Sequence, residues 1–290
     1  MALTDEVRQQ LLAYQKNEIT EHHIYSRLAR SMQSPHNQQT LAKIADDELR
    51  HYQQWRTHTQ QEVKPDKLKI WVYHWLSRLL GFTFALKLME AGEGNAQETY
   101  GRLENVIQEA AAIARDEHDH ENDLISLLDE EHLRYTGSIV LGINDALVEL
   151  TGALAGFTLA LQNTKLIALT GSITGIAAAL SMSASEYLST KTEETDRDPL
   201  KASLYTGCAY LVTVLILIAP YLILRNYYAC LACTLCAAIL IIAFFNYYIA
   251  VAKGLPFRSR FLQMAGLSLT VAGVSFLIGF LIRSALGVEI

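Results

Sequence analysis

Hydrophobic residues are distributed very differently along the two halves of this 290-residue chain. After Arg134, long apolar stretches alternate with short polar breaks, and each stretch is near the ~20 residues that a helix needs to cross a bilayer. The pattern predicts five membrane-spanning helices, which lie at 138–161, 166–189, 203–224, 229–251 and 261–283. The loops on one side of these spans hold seven basic residues and those on the other side hold three, which predicts a cytoplasmic N-terminal half and an external C-terminus.

The first 132 residues show helical periodicity instead, interrupted by the turn signals "SPHN" at 34–37 and "VKPD" at 63–66. Four helices are predicted, at about 5–31, 36–61, 67–104 and 105–131, and the last two are either continuous or gently broken near Gly101. Four such helices commonly pack as a bundle. We therefore predict an all-α protein in which a four-helix bundle over residues 1–132 precedes a five-helix membrane domain over residues 133–290.

One segment of the bundle, residues 68–89, is apolar enough to resemble a further span. Four ionisable residues are nevertheless spread through it: Lys69, His74, Arg78 and Lys87. A span here would also move the N-terminus to the other side of the membrane, so we interpret the segment as a bundle helix. Its aromatic end, "WVYHW" at 71–75, then lies on a membrane surface, contacts a partner subunit or packs within the bundle.

The charges follow the same division. Residues 1–132 carry a net charge of −8 and all nine histidines, whereas residues 133–290 carry +2 and no histidine. An acidic, histidine-rich half argues against nucleic acid as a partner and is compatible with cation handling. The four cysteines all lie in apolar runs of the second half, which predicts small packing residues rather than a disulfide framework.

The bundle half contains the motif Glu-x-x-His twice, as Glu48 with His51 and as Glu117 with His120. Residues three apart lie on one face of a helix, so each pair can bind one ion. A single Glu-x-x-His on a charged helix is usually solvated surface. Two copies on different helices of one bundle are the pattern of a di-metal site.

Such a site also uses one glutamate from each of the two remaining helices. Glu18 stands seven residues before Tyr25, and Glu93 stands seven residues before Tyr100, so the ligand and the tyrosine recur together. Two further glutamates lie one turn from these and could replace or supplement them: Glu21 and Glu90. Four carboxylates and two imidazoles suit iron or manganese better than the sulfur-rich tetrahedral sites of zinc.

These residues resemble the rubrerythrin and erythrin branch of the ferritin-like di-iron proteins, over most of residues 5–131. The resemblance implies a di-iron centre that reacts with oxygen or peroxide and can oxidise Fe(II), and it implies dimerisation. This half has no cysteine, so the four-cysteine iron centre of full rubrerythrins is missing. A peroxidase cycle that depends on that centre is not expected.

Ionisable residues also lie inside the predicted spans. Asp145 lies about two turns into the first span with Glu149 one turn deeper on the same face, and Met182 precedes Glu186 by the same interval in the second. An ionisable group at such depth costs a few kcal/mol, which makes it a functional-site hypothesis. The alternatives are a structural aspartate near the membrane interface and a methionine that fills a packing gap.

The segments "GINDALVELTGALAG" and "SMSASEYLST" resemble the signature spans of the vacuolar iron transporter family, and the resemblance extends over residues 135–285. It implies a homodimer with a path lined by Asp145, Glu149, Met182 and Glu186, along which proton exchange drives divalent metal out of the cytoplasm. The long acidic segment of eukaryotic members is reduced here to "KTEETDRDPLK". The combination resembles the bacterial membrane-bound ferritin group, which implies the inner membrane as its location.

The sequence thus predicts a proton-coupled exporter of Fe(II) or Mn(II) whose cytoplasmic di-iron bundle collects, senses or oxidises the ion. The alternative is a membrane-anchored di-iron oxidase or hydroxylase that acts on a lipid or quinone. That alternative leaves Asp145 and Glu149 without a role. Storage in a closed soluble shell is disfavoured because the spans would obstruct it.

Overall fold

The computed structural model describes residues 5–32, 34–89, 110–126, 135–193 and 197–286. The described residues form ten helices, so the predicted all-α class is confirmed. The chain divides into two compact units, Met1–Glu130 and Glu131–Ile290.

The described part of the first unit contains five helices: α1 (Asp5–Ser31), α2 (Pro35–Thr59), α3 (Lys67–Leu79), α4 (82–89) and α5 (Ala110–Ser126). Ser34 caps α2 by accepting a hydrogen bond from the Asn37 backbone N–H, and a proline occupies the first turn. Asp66 caps α3 through the backbone N–H groups of Leu68 and Lys69. Such caps satisfy backbone donors that have no partner within the helix.

The prediction of one continuous helix over 67–104 is wrong in its described part. The helix breaks at Leu80 and Gly81, and Gly81 has a φ of 93°. Glycine adopts positive φ at little steric cost, so the helix is interrupted here despite the apolar residues on both sides. The predicted break near Gly101 lies outside the described residues.

The core of this unit forms where α1 packs along α2, with α3 against α1 and α5 against α2. Its fully buried side chains include Ile24, Leu28, Leu41 and Ile44, together with Leu86 of α4. Each contributes about 1.5–3 kcal/mol when it leaves water. This apolar layer holds the polar faces of α1, α2 and α5 in register.

The second unit consists of five long apolar helices: α6 (Thr136–Leu161), α7 (Thr164–Thr192), α8 (Pro199–Ile223), α9 (Tyr227–Lys253) and α10 (Phe257–Leu286). All five are long and apolar enough to cross a membrane, which agrees with the predicted spans and indicates an integral membrane protein. Side chains of Asn163, Asp198 and Asn226 cap α7, α8 and α9.

Helix α6 packs against each of the other four helices of its unit. Glycines allow the closest approaches: Gly142 faces the backbone carbonyl of Thr206 on α8, and Gly156 faces Gly279 on α10. A side chain at Gly142 or Gly279 would collide with backbone. Small residues at helix contacts are typical of membrane packing, and they bring the polar groups of α6 next to those of α8.

Candidate metal centre and membrane carboxylates

Three helices of the first unit bring together a compact group of acidic and histidine side chains. Glu18 comes from α1, Glu48 and His51 come from α2, and Glu117 comes from α5. One potential ligand atom from each lies within 4.8 Å of the others, and all except half-buried Glu117 are buried. The group could therefore hold a metal ion.

The imidazole of His51 faces all three carboxylates. Its Nδ1 lies 3.4 Å from an oxygen of Glu117, 3.7 Å from an oxygen of Glu18 and 3.9 Å from an oxygen of Glu48. The local reason is the helical spacing, since residues 48 and 51 share one face of α2 and that face points toward α1 and α5.

His120 of α5 completes a near-symmetric arrangement. Its Nδ1 lies 3.4 Å from one oxygen of Glu48 and 4.0 Å from an oxygen of Glu117, and its ring centroid lies 5.9 Å from that of His51. Glu48 and Glu117 therefore each face both imidazoles.

Three polar atoms at the centre of this group have no hydrogen-bond partner among the described residues: Glu48 Oε2, His51 Nδ1 and His120 Nδ1. Buried polar atoms are nearly always paired, so several unpaired atoms gathered in one place are consistent with a bound ligand. Carboxylate oxygens and imidazole nitrogens are donors that iron and manganese accept. The residues present therefore fit a bound metal ion.

The electrostatics of the cluster reflect the burial of several charges in one place. Burial, followed by the neighbouring Glu48 carboxylate, raises the pKa of Glu18 to about 8. Burial would lower the pKa of His51, but the carboxylates of Glu117, Glu18 and Glu48 outweigh it and raise that pKa. The pKa of His120 is raised in the same way, chiefly by Glu48. Without an added cation, the excess negative charge is balanced by protons.

Each imidazole contacts one aspartate through its Nε2 atom, on the side away from the cluster, and the sequence prediction missed both aspartates. His51 Nε2 lies 3.1 Å from Asp116 of α5, and His120 Nε2 lies 3.1 Å from Asp47 of α2. Because an ionised carboxylate only accepts, each Nε2 carries a proton in this contact, and Nδ1 is the nitrogen directed at the cluster. Arg50 joins the two aspartates, at 2.9 Å from Asp47 and 2.7 Å from Asp116.

Glu18 and the predicted ligand Glu21, both on α1, have different partners. Glu18 accepts a hydrogen bond from the indole N–H of buried Trp55 at 3.0 Å. Glu21 is buried and its carboxylate contacts Lys69 at 3.5 Å, and burial raises the pKa of Glu21 to about 7. Glu21 thus lies beside the cluster with its own cationic partner. The predicted ligands Glu90 and Glu93 lie outside the described residues.

In the second unit, Asp145 and Glu149 lie beside each other on α6, with Asp145 half-buried and Glu149 exposed. The hydroxyl of Tyr210, a fully buried residue of α8, donates a hydrogen bond to Glu149 at 3.0 Å. Tyr210 was not singled out from the sequence, because a tyrosine in an apolar run gives no signal until its partner is known. The contact fixes one oxygen of the mid-span carboxylate.

The second predicted pair, Met182 and Glu186, has its contact with α6 near the start of that helix rather than near its middle. Glu186 is buried, accepts a hydrogen bond from Ser138 of α6 at 2.5 Å and lies 3.8 Å from the guanidinium of Arg197. Arg197 also pairs with Glu193. Met182 is half-buried against the apolar core. Among the described residues, no hydrogen bond or ion pair joins this pair to the first.

Comparison with known proteins identifies one family. Residues 136–198 match the VIT family, a stretch that contains Asp145, Glu149, Met182 and Glu186. The match supports the predicted transporter resemblance over this part of the chain and suggests a membrane metal-ion transporter. No curated protein matches the chain. The ferritin-like resemblance of the first unit stays a prediction.

Proposed function

We propose that this chain exports divalent iron or manganese from the cytoplasm in exchange for protons, and that its first unit holds a di-metal centre that supplies or senses the ion. The observation that carries the transport function is the carboxylate pair Asp145 and Glu149 within a span that matches the VIT family. Glu149 is exposed although it lies near the middle of the 26-residue helix α6. A lipid-facing charge there would cost about 2.5–3.5 kcal/mol, which favours a path or a subunit interface.

The contacts of these carboxylates suggest how they act. Tyr210 holds one oxygen of Glu149, which leaves the other oxygen and Asp145 for a divalent ion. Ser138 and Arg197 hold Glu186 until an arriving ion competes for it, with the thioether of Met182 one turn away. In the proposed exchange, each carboxylate that releases the ion accepts a proton in its place. A second copy of the chain would cover the exposed Glu149, in keeping with a homodimer.

The di-metal centre of the bundle would be held by Glu18, Glu48, His51, Glu117 and His120, with Glu93 as the predicted sixth ligand. These residues would bind Fe(II) reversibly, and the bound iron would supply redox chemistry. The chain's own residues orient the imidazoles through Asp47 and Asp116 and balance charge through their protons. The cytoplasmic location of this unit and the bacterial inner membrane follow from the loop charges and the resemblance, and both belong to the proposal.

The test of transport is Fe(II) flux into sealed proteoliposomes with the bundle outside, with and without an acidic lumen. We expect accumulation that requires the gradient and is abolished by Asp145→Asn, a substitution of nearly equal volume. Asp198→Asn is the matched control, because asparagine also caps a helix and Asp198 lies in the same matched stretch. Wild-type flux in Asp145→Asn would refute the proposed path.

The test of the centre is the metal content of the purified chain. The double substitution Glu48→Ala with Glu117→Ala should lower bound iron from about two per chain towards none, because both carboxylates that face the two imidazoles are lost. Unchanged iron content would exclude the di-metal site. The buried Glu and His cluster also supports the second candidate, a membrane-anchored di-iron oxidase. Oxygen consumption on Fe(II) addition without any flux would favour that enzyme over the exporter.

A further inference from the structure

Helix α3 presents an unusual face to the outside of the first unit. Five large apolar side chains form one continuous stripe along it, and all are exposed: Leu68, Trp71, Val72, Trp75 and Leu79. Their spacing of three and four residues places them on one side of the helix. Trp71 is 58% exposed and Leu79 is 74% exposed, so the described helices of the unit leave the stripe uncovered.

The opposite side of α3 fixes the direction of the stripe. Ile70 is buried in the core, and Lys69 contacts the buried carboxylate of Glu21 on α1 at 3.5 Å. The backbone N–H of Asp66 donates to the hydroxyl of Thr20 at 2.9 Å, which anchors the start of the helix to α1. These contacts on one side fix the orientation of α3 about its own axis, and the apolar stripe is directed outwards.

The charge around the stripe is opposite to that of the unit. Residues 64–79 contain four basic residues and one acidic residue, whereas residues 1–132 carry a net charge of −8. Lys64, Lys67 and Arg78 are exposed. Tryptophan in an apolar stripe bordered by lysine and arginine is typical of a helix that lies at the surface of an anionic bilayer.

We propose that α3 lies in the interface of an anionic lipid bilayer, with Trp71 and Trp75 among the lipid headgroups. We assign the bilayer as the occupant because the same chain carries five candidate spans, which attach the first unit to a membrane. One face of a 13-residue helix, about 20 Å long and about 10 Å wide, covers roughly 200 Å², far less than the ~800 Å² per partner of a stable dimer interface. This inference does not depend on the proposed transport or metal centre.

The experiment uses the three tryptophans of the chain, Trp55, Trp71 and Trp75, all of which lie in the first unit. The full chain is placed in nanodiscs of phosphatidylglycerol whose acyl chains are brominated close to the headgroup, since bromine quenches tryptophan at short range. We expect strong quenching relative to unbrominated lipid. In the variant Trp71→Phe with Trp75→Phe, the remaining emission comes from fully buried Trp55 and should lose that quenching.

A charge-reversed variant, Lys67→Glu with Arg78→Glu, retains every tryptophan and should be quenched less than the wild type. Equal quenching of that variant, or equal quenching in brominated phosphatidylcholine, would overturn the role assigned to the basic residues.

Emission of the wild type that is insensitive to bromine would overturn the membrane contact. Cross-linking of Trp71→Cys between two copies would then assign the stripe to a subunit interface. Quenching of Trp55 in the double variant would overturn the assignment to α3.

Discussion

Replacing Asp116 with alanine removes the partner of His51 Nε2 while leaving all the proposed metal ligands in place. The hydrogen bond between them is 3.1 Å long, and the corresponding bond joins His120 to Asp47 at the same distance. Without Asp116, the imidazole is free to rotate and to place its proton on either nitrogen. Metal binding then has to select the ring orientation that the aspartate otherwise imposes.

The expected loss follows from the exposure of the two aspartates. Partners of this kind contribute about 10–100-fold to metal affinity. The side chain of Asp116 is 39% exposed and that of Asp47 is 17% exposed, so water replaces Asp116 more easily. We therefore expect about a 10-fold weaker affinity, or ~1.4 kcal/mol, for Asp116→Ala. Asp47→Ala should approach the upper end of the range.

The assay is a titration of the metal-free full chain with Co(II) or Mn(II) against a competing chelator, in the Asp145→Asn background to suppress binding in the spans. The Co(II) absorption reports directly on imidazole coordination, which a loss of folding would abolish altogether. Asp123→Ala is the matched control, because Asp123 lies on the same helix and also pairs with a basic residue of α2, Lys43, at 3.3 Å. Loss of an exposed ion pair changes stability by at most about 1 kcal/mol.

Equal affinities for Asp116→Ala and Asp123→Ala would refute the positioning of His51 by Asp116. A loss in Asp116→Ala that is larger than in Asp47→Ala would refute the argument from exposure. Arg50 contacts both aspartates, so the two substitutions share a partner. Their effects should therefore deviate from additivity in the double variant.

Two further predictions concern the second unit. Tyr210→Phe removes the hydroxyl that holds the side chain of Glu149, a hydrogen bond worth about 0.5–1.5 kcal/mol, so Fe(II) flux should fall about 10-fold at the upper end of that range. Tyr221→Phe on the same helix, whose hydroxyl bonds to a threonine instead, is the control, and equal flux in the two variants would contradict the role of Tyr210. Gly142→Ala inserts a methyl group against the Thr206 carbonyl and should destabilise the unit by about 1–3 kcal/mol, measured as a lower thermal midpoint. Gly137→Ala has open space around it and should leave the midpoint unchanged; equal shifts would contradict the packing argument.

The proposed ligands could be predicted because their spacing is local. Glu48 and His51 share a helical face whatever the tertiary structure is, and the repetition at Glu117 identified the motif. The bonds from Asp47 and Asp116 cross between helices, and they depend on the relative rotation of α2 and α5. The spacing of residues within one helix does not determine the rotation of α2 relative to α5. The sequence did hold a signal, since each Glu-x-x-His is preceded by an aspartate.

The break of the third predicted helix shows a different limit. The apolar residues around Gly81 continue a helical pattern, and a single glycine inside such a pattern is often tolerated. The positive φ of Gly81 depends on how α4 packs against the core through Leu86 and Met89. Tertiary packing therefore decided between a bend and a continuous helix. The same break limits α3 to a short helix whose stripe remains uncovered.

The two proposed activities can be separated by mutation because their supports are separate. The described contacts that hold the Glu and His cluster come from α1, α2 and α5, and those that hold Glu149 and Glu186 come from α6 to α8 and the segment between α7 and α8. A variant that loses bundle metal but retains flux would assign the cluster to sensing or storage rather than supply. A variant that loses flux but retains bundle metal would place transport in the spans alone. If a cluster variant abolishes both bundle metal and flux while a path variant abolishes flux alone, the cluster and the path act in sequence on one ion, as an exporter with its own collecting site requires.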